Sequence, residues 1–144
     1  CYGKGRMKDV GYVVGLAFKT ALVLAVLIIA AIYIWSDPIA SIFNSEKNPE
    51  LAAYAREGIR LYFIGFLFAG INIVGTSALS AVEAVRWAFT ASIMRGFVAI
   101  LIFAFALSAV FGMTGVWLAF PAAELVTMLL SLTGISKSIW AKCR

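Results

Sequence analysis

The chain has 144 residues, with 12 Lys and Arg against 7 Asp and Glu, no histidine, and a formal net charge of +5. Hydrophobic residues make up 63% and charged residues 13%, where a soluble domain carries about a quarter charged, and the mean hydropathy is +0.99. This composition excludes a soluble domain, and the missing histidine excludes a His-based triad or a His-ligated zinc.

Stretches of roughly 20 mostly apolar residues cross about 30 Å of hydrocarbon as helices. Such stretches fall near Val13–Trp35, Leu61–Ala81, Trp87–Phe111 and Gly115–Gly134. The expected class is therefore an all-α integral membrane protein with four transmembrane helices. A membrane barrel needs strands of about ten residues with strict alternation, and runs such as Leu22–Ile34 are apolar on every side.

Taken in chain order, residues 1–12 read as a glycine-rich turn and a basic helix start on the cytoplasmic side, and residues 13–144 as the membrane portion. The chain opens at Cys1 with no initiator Met, inside the turn Tyr2-Gly3-Lys4-Gly5, and reads as a piece of a longer protein. Lys8 and Lys19 reach headgroups by snorkelling from the first span. That span is expected to close at Asp37, because the residue before Pro38 is biased away from helix, with Trp35 as an interfacial anchor and Ile39–Phe43 lying along the outer interface. Asn48-Pro49-Glu50 then supplies the N-cap, N1 proline and early acid of a helix start, and this helix runs on into the second span. Ala81–Arg86 is an inner connector in which Glu83 and Arg86 form a solvated i, i+3 pair of little energetic worth. Phe111-Gly112-Met113-Thr114-Gly115 is a tight, chargeless outer turn.

Lysine and arginine are retained on the cytoplasmic side, and four spans place both termini together. That face collects Lys4, Arg6, Lys8, Lys19, Arg86, Arg95, Lys137, Lys142 and Arg144, while the other holds Lys47, Arg56 and Arg60 against four acids between Asp37 and Glu57. Both termini are expected in the cytoplasm, in a multi-pass protein of the plasma (inner) membrane. Topology and anionic lipid headgroups account for the positive charge, so no nucleic-acid partner is implied. Cys1 and Cys143 are too few for a disulfide framework or a zinc site.

Polar residues at membrane depth mark the candidate site. Glu124 falls about a dozen ångströms below the outer surface by helical rise, near the middle of the bilayer. A central charge costs roughly 3 kcal/mol there, so it must face protein or a wet cavity. Pro121 frees the carbonyl of Trp117 one turn before it. Three readings stay open: an ion pair with Arg95, which enters the third span to a depth of about 10 Å; a protonatable group that exchanges its proton during transport; and a permanently neutral acid beside lipid. Asn72, at comparable depth, is either interhelical glue or a donor to a ligand. Tyr62, Phe63, Phe66 and Phe68 are candidates to line a cavity for a flat lipophilic cation, or they face lipid. No nucleotide loop and no paired carboxylates on one face are present, so neither an enzyme, a metal site nor a cofactor is expected.

The stretch Leu61-Tyr62-Phe63-Ile64-Gly65-Phe66-Leu67-Phe68-Ala69-Gly70-Ile71-Asn72-Ile73-Val74 resembles the tenth helix of the multidrug and toxic compound extrusion (MATE) transporters. Ser80-Ala81-Val82-Glu83, Ser92-Ile93-Met94-Arg95-Gly96-Phe97, and Phe111 through Glu124 with its Phe-Pro-x-x-Glu pattern are similar to that family's last two helices. Tyr2-Gly3-Lys4-Gly5 is similar to the turn that leads into its ninth. The resemblance implies a twelve-helix, two-lobe secondary transporter, of which this chain is the last four helices, with the missing N-terminal lobe as its first partner. It implies export of cationic or amphipathic small molecules by alternating access, in exchange for H⁺ or Na⁺. The family's coupling acids on the first and seventh helices have no counterpart here, and no acid lies between Leu61 and Ala81. Glu124, Asn72 and Arg95 are the substrate or coupling-cation candidates, and Tyr62, Phe66 and Pro121 the cavity-lining candidates. A lipid-linked oligosaccharide flippase of related fold and a non-transporting membrane assembly subunit are the alternatives.

Overall fold

The computed structural model describes residues 1–43 and 48–143. A 3-10 turn, Tyr2–Lys4, ends on Gly5 in the left-handed region (φ 68). It is followed by α1 (Met7–Phe43), α2 (Pro49–Ala81), α3 (Val85–Ile93), a π-helical turn (Met94–Val98), α4 (Ala99–Ser138) and a 3-10 turn (Trp140–Lys142). Helical backbone angles persist across both ends of the π turn, so residues 85–111 form one rod.

Three helices are long and apolar enough to cross a membrane: Met7–Ile39, Pro49–Ala81 and Val85–Lys142. The last covers 58 residues, well beyond the roughly 20 that a crossing needs, and it is broken at Gly112 (φ 60, ψ −131). A side chain is strained in that conformation. A Cβ at Gly115 would collide with the carbonyl oxygen of Leu107, whereas residues eight apart in a straight helix are separated by about 12 Å. The chain therefore doubles back at Gly112, inside the chargeless turn expected over Phe111–Gly115.

The start of α2 follows the local chemistry closely. The Asn48 side chain accepts the backbone N–H groups of Glu50 (2.9 Å) and Leu51 (3.4 Å), with Pro49 at the first helical position. The end of α1 departs from expectation. It does not close at Asp37, and Ile39–Phe43 is not a separate interfacial piece, because the helix continues through Pro38 to Phe43. Proline costs this helix one hydrogen bond, but cross-helix contacts hold the segment: Asp37 pairs with Arg56, and Ser36 accepts from Arg60 at 3.1 Å. The expected Glu83–Arg86 pair is also absent from the ion pairs among the described residues, which are Arg6–Asp9, Arg56–Asp37 and Arg95–Glu124. Glu83 sits in the left-handed region (φ 58) between two helices, where helical i, i+3 geometry does not apply. Lys47, Arg144 and Glu46, the last being one of the four acids, are counted in the charge asymmetry and lie outside the described residues.

Helix directions follow from the contacts. α1 and α2 are antiparallel: Val10 and Val14 pack with Leu79 and Val82 at one end, the glycine at 70 meets Ala21, and Arg60 reaches Ser36 at the other end. α2 and residues 113–138 run in the same direction. Gly58 faces Trp117, Gly65 faces Phe120 and Pro121, Gly75 faces Ser131 and Ile135, and Gly134 faces Leu79. The buried residues Gly58, Gly65, Asn72 and Leu79 recur at every seventh position of α2, the spacing of a helix–helix seam. The glycines let the ring systems of Trp117 and Phe120 lie against the α2 backbone. Both termini gather at one end, where Tyr2, Met7 and Cys143 pack against a core of Val10, Val14, Leu79, Val82, Ala88, Ile135 and Ile139.

Candidate functional site

The seam between α2 and α4 is apolar and close-packed except at its centre, where Asn72, Glu124, Thr127 and Ser131 are all buried. Asn72 follows Gly65 by seven residues and so points the same way, into α4. Its amide nitrogen donates to both the backbone carbonyl of Glu124 (2.7 Å) and its Oε2 (2.7 Å). The other carboxylate oxygen, Oε1, accepts from Nε of Arg95 at 2.8 Å. A buried acid is tolerated only when paired and hydrogen-bonded, and here both oxygens are engaged by groups from two different elements. Pro121 lies buried one turn before Glu124 on the same segment.

Arg95 owes its position to the π turn. A π turn inserts one extra residue into the helical path and rotates side chains relative to an uninterrupted α-helix, and Arg95 is its second residue. The ion pair is lopsided in exposure: the Glu124 side chain is 3% exposed and that of Arg95 is 32%. Both border a cleft of about 380 Å³ lined also by Ser92, Gly96, Ile100 and Phe120. One face of the Phe120 ring is covered by Tyr62, stacked at a centroid distance of 4.3 Å, while Phe66 stands tilted at 6.3 Å and stacks on Phe63 at 4.7 Å.

The family model described as MatE matches residues 1–106. The chain belongs to the MatE family. Searches among curated proteins and among solved structures returned no match. MatE membership makes it a multi-pass membrane protein of a transporter family, not of an enzyme family. The MatE match takes in Asn72, the π turn and Arg95, and ends before Glu124.

Of the sequence-derived candidates in this MatE chain, Glu124, Asn72 and Arg95 converge on one point. Tyr62, Phe66 and Pro121 do not line the cleft that Glu124 and Arg95 border; Phe120 does. Tyr62 and Phe66 are instead engaged with the Phe120 ring, and Pro121 packs toward Gly65. Sequence reasoning missed Phe120, the π turn, and the buried Thr127 and Ser131. The seven-residue spacing of Gly58, Gly65, Asn72 and Leu79 was the available signal for the seam, and it points to the apposed α4 residues. The π turn has no local sequence signal.

Proposed function

We propose that this chain is the terminal four-helix part of a twelve-helix, cation-coupled efflux antiporter that exports cationic or amphipathic compounds by alternating access, driven by H⁺ or Na⁺. On this reading it lies in the plasma membrane with both termini cytoplasmic, surrounded by lipid, and works only with the lobe that precedes it. One observation carries the reading: a buried acid at the junction of two helices, held by Arg95 and Asn72, beside a cleft in a chain of a transporter family. Acids in the interior of membrane bundles are expensive, and they mark ion and proton pathways. Glu124 is the group whose charge the coupling ion would balance once Arg95 lets go, and Asn72 would keep the carboxylate oriented through that exchange.

The test is Glu124→Gln in the complete protein, reconstituted in vesicles with an imposed proton or sodium gradient. The amide keeps the shape and the Asn72 contact and removes the exchangeable charge. Gradient-driven efflux is expected to be lost with expression preserved. Full efflux in the variant would exclude Glu124 from coupling and leave the Arg95 pair as a structural contact.

A further inference from the structure

The accessible charge in the Glu124 cleft is positive. Glu124 is the residue that suggests a cation site, yet its side chain is 3% exposed, and its two oxygens are occupied by Arg95 Nε at 2.8 Å and Asn72 Nδ2 at 2.7 Å. The exposed partner is Arg95, at 32%. Arg95 binds the acid through Nε alone; neither of its Nη nitrogens donates a hydrogen bond among the described residues. A guanidinium has five N–H donors in a planar fork, so the edge carrying the Nη donors remains available on a side chain that lines the cleft.

The rest of the lining fits a planar acid. Phe120 provides an aromatic ring whose position is fixed by Tyr62 stacked at 4.3 Å. Among the described residues nothing lies within 4 Å of where a Cβ on Gly96 would sit, which leaves space beside Arg95. Ser92 spends its hydroxyl proton on the Ala88 carbonyl at 2.8 Å. Among the described residues no second acid lines the cleft. At about 380 Å³ the space is at the small end of the range for ligand pockets.

We infer that this cleft binds the carboxylate of an aromatic acid, with the oxygens on the Arg95 Nη edge and the ring against Phe120, while Glu124, itself held by Asn72, fixes the guanidinium through its Nε. Paired N–H···O bonds between arginine and carboxylate are the geometry for which this side chain is best suited. The inference narrows the substrate class of the efflux reading, on which it rests, from cationic or amphipathic compounds to amphipathic compounds that carry an acid group.

The test is equilibrium binding to the complete protein in nanodiscs, using 2-naphthoate, its neutral analogue 2-naphthamide, and the cation 2-naphthylmethylammonium. Naphthoate is expected to bind about tenfold more tightly than the amide, the scale of one charge-assisted contact. Glu124→Gln, which removes the negative charge behind Arg95, is expected to tighten naphthoate binding, and Arg95→Gln to erase the acid-over-amide preference. Equal binding of acid and amide would overturn the proposal, as would tightest binding of the ammonium compound with loss of that binding in Glu124→Gln. Should Arg95→Gln fail to fold, the ligand series on the unmodified protein and on Glu124→Gln decides the matter. Binding and gradient-driven efflux are separate readouts: lost efflux with retained acid preference leaves both readings standing, while retained efflux in Glu124→Gln defeats coupling through Glu124 without touching the acid site.

Discussion

Both oxygens of Glu124 are held, and the two contacts should differ widely in worth. Removing Arg95 leaves a buried carboxylate with no counter-charge, and breaking a buried pair from one side costs about 3–5 kcal/mol. Asn72 contributes interhelical hydrogen bonds, which inside membranes average about 0.6 kcal/mol each. Arg95→Ala is therefore expected to lower the melting temperature in detergent far more than Asn72→Leu. The double replacement Arg95→Met with Glu124→Leu should melt closer to the parent than either single change, because no charge is left stranded. The three residues stood out in the sequence because each is polar at a depth where polarity is costly. Their convergence did not, since counting along a helix gives depth but not the direction a side chain faces. Arg95 in particular takes its direction from the π turn, which nothing in Met94-Arg95-Gly96-Phe97-Val98 announces.

At the scale of elements, what was legible is what is decided locally. The cap at Asn48 needs only the neighbouring N–H groups, and the reversal at Gly112 needs only a residue free to adopt φ 60. Asn48→Ala should cost about 1 kcal/mol. Gly112→Ala should cost about 1–3 kcal/mol, as expected for a side chain held in this sparsely populated backbone region. Gly15→Ala in α1, where nothing lies within 4 Å of the added methyl, should instead be neutral or stabilising by up to about 1 kcal/mol. Thermal unfolding of the three variants in one detergent checks both magnitude and sign. The passage of α1 through Pro38 was illegible because the contacts that sustain it, Asp37 with Arg56 and Ser36 with Arg60, join residues about 20 positions apart.

For the whole molecule, Tyr2, Met7 and Cys143 share one end of the bundle, with Cys143 donating to the Met7 carbonyl at 3.1 Å. Both cysteines should therefore react with a membrane-impermeant maleimide from the same side of sealed vesicles, Cys1 faster because it is exposed and Cys143 only partly so. Labelling from opposite sides would contradict the packing of the terminal end. The overall class and the positions of the apolar stretches were readable because composition dictates them. The common direction of α2 and residues 113–138 follows from four alternating spans; that the two pack side by side was not legible, because it depends on which helices become neighbours after the chain turns back.

The hairpin around Gly112 has a mechanical consequence. Between Arg95 and Lys137 the sequence carries a single charge, Glu124, and that charge is buried. The Gly112 end of this pair of rods thus has no ionised residue to moor it to headgroups. Within its turn Thr114 makes one hydrogen bond, to Glu57 at 3.0 Å, while the base carries Arg86 and Lys137, the latter over the Trp87 ring. Moving a charged end along the bilayer normal costs kilocalories, whereas shifting an uncharged apolar rod costs fractions of a kilocalorie per ångström. The hairpin is thus moored by charge at its root and not at its crown, while the Arg95–Glu124 pair ties its two rods to each other and Asn72 ties them to α2.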